Sequence, residues 1–187
     1  MKGVNEVGDM AAALGDLMRY SLSANNFVTV GEELGHLNNY IEIQNLRYGD
    51  RMTIEFKIEE KAKEFYIPKL LVQPILENAI VHGVEDKLEP GLIRIEIFTV
   101  SEELSIVVED DGVGMSQEAI ESLMNMGDIT KKIGHTSIGV CNVNRRIQVV
   151  FGHECGLQIQ SQLGAGTKIT MHLKVLKEVP DVQLSYN

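Results

Sequence analysis

Ile106-Val107-Val108-Glu109-Asp110-Asp111-Gly112-Val113-Gly114-Met115 is the stretch whose reading decides the fold. A run of β-branched residues reads as a strand. It drives into acids and then into two glycines one residue apart, which reads as a turn. Carboxylates therefore sit at the strand's mouth, and the glycines let the backbone approach a neighbour closely. Asp-x-Gly-x-Gly on its own also describes an ordinary acidic turn, so its meaning rests on what flanks it.

Upstream lies Leu70-Leu71-Val72-Gln73-Pro74-Ile75-Leu76-Glu77-Asn78-Ala79-Ile80-Val81-His82-Gly83. Downstream lie Ser137-Ile138-Gly139-Val140-Cys141-Asn142-Val143-Asn144-Arg145-Arg146-Ile147 and Gly164-Ala165-Gly166-Thr167. In this order the set resembles the N, G1, G2 and G3 boxes of the ATP-binding fold of histidine kinases, gyrase-type ATPases and heat-shock chaperones. In detail it is similar to the LytS/YesM-like sensor histidine kinases, from about Leu14 to Val175. The resemblance implies a GHKL/Bergerat α/β (α+β) fold. That is a two-layer sandwich of a mixed, mostly antiparallel sheet with helices on one face.

Length and composition agree with one domain, or one domain with an appendage. A chain of 187 residues can bury a sizeable core. The net charge of -10 argues against a general nucleic-acid binder. It does not exclude a nucleotide, for which one local cluster of donors is enough. Cys141 and Cys155 are too few for a disulfide framework or a zinc site, so a reducing cytoplasm is the simplest setting. No apolar run approaches the ~20 residues of a membrane span. By resemblance the chain is expected to be a cytoplasmic domain of a membrane-anchored bacterial sensor, with the anchor elsewhere.

Along the chain, Val7, Met10, Ala11, Leu14, Leu17 and Met18 make a one-faced helical stripe over residues 4–23. The stripe suits either a helix packed on its own domain or, by resemblance, the second helix of a dimerisation hairpin. The family's acceptor histidine lies on the first helix, and none of His36, His82, His135, His153 or His172 sits in that context. Residues 1–27 are thus expected to be a partial dimerisation helix and 28–50 a linker helix. Residues 51–176 are expected to be the ATPase domain and 177–187 a tail. Thr29 and Glu32 fit a capping box, with Leu34, Leu37, Ile41 and Tyr40 as the buried stripe. Met52–Ile58 reads as the first strand, and Pro68 as the start of the long helix carrying Asn78. Residues 91–100 and 103–110 read as a hairpin around Ser101-Glu102. A short helix is expected over 116–126, a polar lid over 127–136 and a helix over 138–151. Two final strands are expected over 156–162 and 167–175.

At about 100° per residue, Asn78 and His82 project to the side of Leu71 and Ile75, and Glu77 to the opposite side. A polar pair beside an apolar stripe needs partners, either an internal hydrogen bond or a ligand. Asn78 is the candidate oxygen donor to Mg²⁺, which takes few protein oxygens when phosphates supply the rest. By resemblance His82 lies against the phosphates. Asp110 is the candidate for adenine, because a carboxylate accepts from the exocyclic amine where guanine offers an acceptor. Gly112 and Gly114 would let the backbone pass close to the ring. By resemblance Thr167 joins Asp110 near the base, while Asp111 suits turn chemistry. Ser137 and Gly139 open a helix whose free N–H groups favour phosphate. Lys131 and Lys132 would close over phosphate from the lid, or form a solvated pair. Arg47 suits a surface salt bridge as well as a function, and Arg146 matches a family arginine without a derived role.

Gyrase-like relatives place a water-activating Glu four residues before the Asn, where this chain has Pro74. Val81 stands where close relatives carry Lys. The resemblance implies ATP and Mg²⁺ as ligands. It also implies γ-phosphoryl transfer to a histidine on the dimerisation domain, with a response-regulator receiver domain downstream and a homodimer in the full-length protein. The alternatives are a degenerate nucleotide-binding or dimerisation module and a hydrolytic ATPase of the same fold.

Overall fold

Ile106, Val107 and Val108 form an unbroken apolar run because their strand is flanked on both sides. The structure is a computed structural model that describes residue 15 and residues 17–85, 87–125 and 135–180; the side chains of 125 and 135–138 fall outside that description. The main sheet runs β2 (Met52–Ile58), β4 (Gly91–Val100), β5 (Glu103–Asp110), β7 (Gly166–Lys174), β6 (Gly156–Gln162). β2 is parallel to β4, and the remaining pairs are antiparallel. In β5, which has a neighbour on each edge, Val107 is buried along with Ile106 and Val108, set between Glu96 of β4 and Thr170 of β7. β4 alternates instead: Ile93, Ile95 and Ile97 are buried, while Arg94 and Phe98 face out.

Helices α3 (Gln73–Ile80) and α5 (His135–Phe151) lie on the inner face. Ile75, Leu76 and Ile80 of α3 and Val143 and Ile147 of α5 share one core with Ile93, Ile106 and Ile169. The outer face is crossed by exposed ion pairs such as Arg94–Glu55 at 3.0 Å, which contribute little stability. The expected mixed sheet with helices on one face is therefore what forms.

Helix α2 (Val30–Tyr48) starts where the capping box placed it. Glu32 N–H donates to the Thr29 hydroxyl at 3.1 Å, and Thr29 N–H donates to the Glu32 carboxylate at 2.7 Å. Leu34, Leu37 and Ile41 are buried and Tyr40 is half-buried against the core. Thr29→Ala is expected to cost about 1 kcal/mol. A drop of roughly 3 °C in thermal midpoint, which calorimetry reads, would follow for a domain of this size.

Four local expectations are corrected. Met52–Ile58 is a strand with the expected bounds but not the first: β1 (Phe27–Thr29) precedes it and pairs antiparallel with β3 (Tyr66–Pro68). Three-residue strands are too short to display an alternation. Pro68 does not open the Asn78 helix; it ends β3 opposite Phe27, and α3 begins at Gln73 with Pro74 in its first turn. Proline suits that position, where its missing N–H is no loss. The helix also widens after Ile80 into a π-helical turn, Val81–Glu85. Finally, α5 begins at His135, ahead of the expected residue 138.

The hairpin around Ser101 forms with Ser101 at φ 57°. Helix α4 (Gln117–Asn125) occupies the expected short-helix segment. Of the amino-terminal stripe, helix α1 is described over 17–22, with Leu17 half-buried and Met18 exposed; Val7, Met10, Ala11 and Leu14 lie outside the described residues. Most of the expected lid, including Lys131 and Lys132, also lies outside them. Among the described residues no helix is long and apolar enough to cross a membrane.

Candidate functional site

The register of the central strands builds the floor of a pocket. Asp110, the last residue of β5, stands opposite Ile93 of β4 and Thr167 of β7. Its carboxylate Oδ1 accepts from Gly112 N–H at 2.9 Å, which turns the chain immediately after the strand. That bond and the Thr167 amide both favour the carboxylate, whose remaining lone pairs can accept from a ligand. Asp110 is buried, and burial pushes its carboxyl above the ordinary aspartate range. The Gly112 and Thr167 amides and His82 act in the opposite direction, and Asp111 adds to the rise. A buried acid shifted by its surroundings in a cleft is a candidate functional group.

Asn78, His82, Asp110, Gly114 and Thr167, named from separate motifs, line one pocket. Its apolar walls include Ile75, Val108, Met115, Leu123, Val140 and Ile169. The cavity is about 210 Å³. Sites for whole drug-sized ligands run from roughly 300 Å³ upward, so the enclosed part suits a flat ring system rather than a larger ligand.

Asn78 and His82 reach this pocket together even though the π turn begins between them. The Asn78 amide nitrogen donates to Pro74 O at 2.9 Å. The internal hydrogen bond and the ligand role are therefore compatible, because the tether leaves the amide oxygen as an acceptor. Glu77 is held by Gln73 Nε2 at 2.7 Å and is not part of the pocket lining.

The glycines are packed against the protein's own chain. A Cβ on Gly112 would lie 2.2 Å from His82 O, and one on Gly114 would lie 1.9 Å from Gln162 O. Each therefore has to be glycine for the protein's own backbone to pass, and Gly114 lines the pocket as well. Gly83, to which sequence reasoning gave no role, and Gly166 of the last glycine turn follow the same logic. Their Cβ positions fall 2.8 Å from Asp110 Cβ and 1.9 Å from Asp110 O. Asp110 is thus clamped between two bare backbones. The π turn that brings Gly83 there left no signal in a helical projection.

Ser161 is a second omission. Its hydroxyl donates to Gly166 O at 2.8 Å, lies 2.9 Å from Thr167 Oγ1, and accepts from Met115 N–H at 2.8 Å. It ties β6 to the glycine loop beside Thr167. Counting back from the Gly164–Gly166 turn would have found it, since Ser161 pairs with Thr167.

Ser137 and Gly139 both fall in the first turns of α5, and Gly139 packs near Pro74 of α3, with a Cβ placed 3.5 Å from Pro74 Cβ. Asp111 faces away from the pocket. It accepts from Leu92 N–H at 2.9 Å and pairs with Lys87 at 3.0 Å, as turn chemistry suggested. Arg47 forms the surface salt bridge, 2.8 Å from Glu85. Arg146 donates to Lys69 O at 2.7 Å and Leu70 O at 3.2 Å, just ahead of α3. No cluster of three or more His, Cys, Asp or Glu able to hold a metal occurs among the described residues. The donor set fits only a cation that arrives with oxygens of its own, for which the Asn78 amide oxygen would be available as a protein ligand.

Residues 67–177 match the family described as histidine kinase-, DNA gyrase B- and HSP90-like ATPase. Residues 1–52 match a second, described as histidine kinase. The sensor histidine kinase YesM of Bacillus subtilis is 33% identical over 175 residues, 93% of this chain and 29% of that protein. The sensor protein LytS of Staphylococcus haemolyticus is 29% identical over 80% of this chain and 25% of its own length. The chain thus spans under a third of these relatives. Among solved structures, the catalytic domain of histidine kinase ThkA shares the fold with a TM-score of 0.61 at 13% identity, covering 81% of this chain and 95% of that one. The mycobacterial sensor histidine kinase MprB gives a TM-score of 0.56 at 15% identity, over 80% and 97% respectively.

Proposed function

Because this chain belongs to the histidine kinase-, DNA gyrase B- and HSP90-like ATPase family, and within it to the YesM/LytS-like sensor histidine kinases, we propose that it is the part that binds ATP and passes the γ-phosphoryl to a histidine. The observation that carries this is the convergence of Asn78, His82, Asp110, Gly114 and Thr167 on one pocket sized for a base.

Each end of the nucleotide has a role to fill. Adenine enters the apolar pocket and its exocyclic amine donates to the Asp110 carboxylate, with Thr167 beside it. The phosphates then extend past His82 toward the first turns of α5, where the free N–H groups near Ser137 and Gly139 favour anions. Mg²⁺, when bound, offsets phosphate charge, and the Asn78 oxygen is its protein ligand. Rate enhancement comes from positioning and charge, and the nucleophile is an imidazole from the dimerisation domain.

The same geometry keeps water from competing. The position one helical turn before Asn78 is Pro74, whose carbonyl already accepts from Asn78. Glu77, the nearest acid on that helix, is not part of the pocket lining. No described carboxylate on that helix is placed to activate a water, so the phosphoryl persists for transfer. The domain plan follows: residues 1–27 as the end of a dimerisation hairpin, 28–50 as linker, 51–176 as the ATPase unit and 177–187 as a tail. In the longer protein this is a cytoplasmic part of a membrane-anchored bacterial sensor, working as a homodimer with a response-regulator receiver domain as final acceptor.

The test is transfer in trans. Mixed with γ-labelled ATP and Mg²⁺, the chain alone is expected to gain no acid-labile label. Added to a dimerisation hairpin bearing the acceptor histidine, it is expected to label the hairpin, and Asn78→Ala is expected to abolish this. Label on the isolated chain, or rapid phosphate release without transfer, would contradict the reading.

A further inference from the structure

The Lys69–Val72 segment joins β3 to α3, and three helices grip it. From α2, the buried Glu33 carboxylate accepts from Leu70 N–H at 2.9 Å and from Val72 N–H at 3.1 Å. The oxygen that takes Leu70 also accepts from the Tyr20 hydroxyl of α1 at 2.6 Å. From the segment itself, the buried Lys69 ammonium donates to the carbonyls of Tyr20, Ser21 and Ser23 at 3.0, 3.2 and 2.7 Å, capping the end of α1. From α5, Arg146 donates to the carbonyls of Lys69 and Leu70.

The segment is held in a conformation it would not choose freely. Leu70 has φ 58°, a left-handed backbone on a residue with a branched side chain. Such a conformation persists only while surrounding contacts over-determine it. Burial, followed by the charge and hydrogen bond of Glu33, pushes the Tyr20 phenol far up, so it stays a donor. Gln73, the first residue of α3, is hydrogen-bonded to buried His36, whose ring stacks on Tyr20 at 4.1 Å between centroids.

We propose that Tyr20, Glu33 and Lys69 are positioning residues that couple the end of α1 to both walls of the nucleotide pocket through this segment. One wall is α3, which carries Asn78; the other is α5, which carries Gly139. Withdrawal of α1 removes the Tyr20 hydroxyl from Glu33 and uncaps Lys69. The left-handed Leu70 then relaxes, and the Asn78 wall shifts against the α5 wall. The site that binds the nucleotide thereby senses where the amino-terminal helix sits. This rests on the nucleotide reading for its consequence, but not for its geometry.

Tyr20→Phe tests it with the removal of one hydroxyl, and Glu33→Gln is the stronger companion. Two readouts separate the coupling from the function. In the nucleotide-free chain, Tyr20→Phe is expected to move the Asn78 side-chain amide and the Gly139 backbone amide in a nitrogen–proton correlation spectrum. In a Mg²⁺-ATP titration it is expected to raise Kd about fivefold. A lowered melting temperature with both signals and Kd unchanged would overturn the coupling and leave the junction as structural support. Shifted signals in a chain whose wild type binds no ATP would keep the coupling and sink the nucleotide reading.

Discussion

Asp110→Asn is expected to weaken ATP binding about a hundredfold while stabilising the empty domain. The loss follows from which oxygen is already used. Gly112 N–H donates to Asp110 Oδ1 and the Thr167 amide also favours the carboxylate, so the amide variant turns one of two acceptor oxygens into an NH₂ donor; with the other oxygen kept on Gly112, that NH₂ is what the pocket offers. Donor then meets donor at the exocyclic amine of adenine. A buried polar site left mismatched costs on the order of 2–3 kcal/mol, which corresponds to the stated factor.

The gain follows from the direction of the Asp110 shift. Burial raises its carboxyl, so the folded chain takes up this proton before the unfolded chain does on acidification. Above the raised native value both states carry the charge, and the fold bears the cost of burying it. As pH falls through that value the cost is relieved, and the relief is complete below the unfolded value near ~3.9. The amide carries no charge at any of these pH values and lacks this dependence. ATP affinity of the intact chain is expected to fall on acidification at a pH above the ordinary aspartate range. Calorimetric titration and thermal melts of both proteins across pH 4–8 check the two signs together.

Gly166→Ala is the second large effect, and it acts on the fold. The glycine has φ 94°, and an added Cβ would lie 1.9 Å from the Asp110 carbonyl oxygen. That oxygen belongs to the central strand, so it has no route of retreat. A loss on the order of 4 kcal/mol is expected, a large part of the stability of a domain this size. Two neighbouring cases calibrate it. Gly164 shares the turn with φ 76° but has open space around its Cβ position, so its alanine variant is expected to cost only about 1 kcal/mol of backbone strain. Gly35 lies in α2 with nothing near, and its alanine variant is expected to stabilise by about 1 kcal/mol. Urea denaturation of the three variants reads the order.

The residues that were legible in the sequence are those whose role is local. Thr29 and Glu32 declare a capping box within four positions. The alternation of Ile93, Ile95 and Ile97 declares a half-buried strand, and the unbroken Ile106–Val108 run declares a central one. The pocket was legible because Asn78, Asp110 and Thr167 each sit in a motif with its own spacing. What stayed hidden depends on partners far along the chain. β1 and β3 are three residues each and exist through one another. Pro68 signals a helix start by type, yet its pairing with Phe27 overrides that signal. Gly112 and Gly114 announce close approach without saying to what, and the answer is the chain's own backbone. Glu33 reads as an exposed helix acid because the amides of Leu70 and Val72 that bury it are 37 and 39 residues away.

The central claim is that this chain selects adenine through the Asp110 carboxylate. The most direct measurement is a calorimetric titration of Mg²⁺-ATP against Mg²⁺-inosine triphosphate, which differs from ATP at the base by a carbonyl in place of the exocyclic amine. The intact chain is expected to prefer ATP by more than about tenfold, with the preference lost in Asp110→Asn. Equal affinity for the two nucleotides, or a preference that survives the substitution, would contradict it.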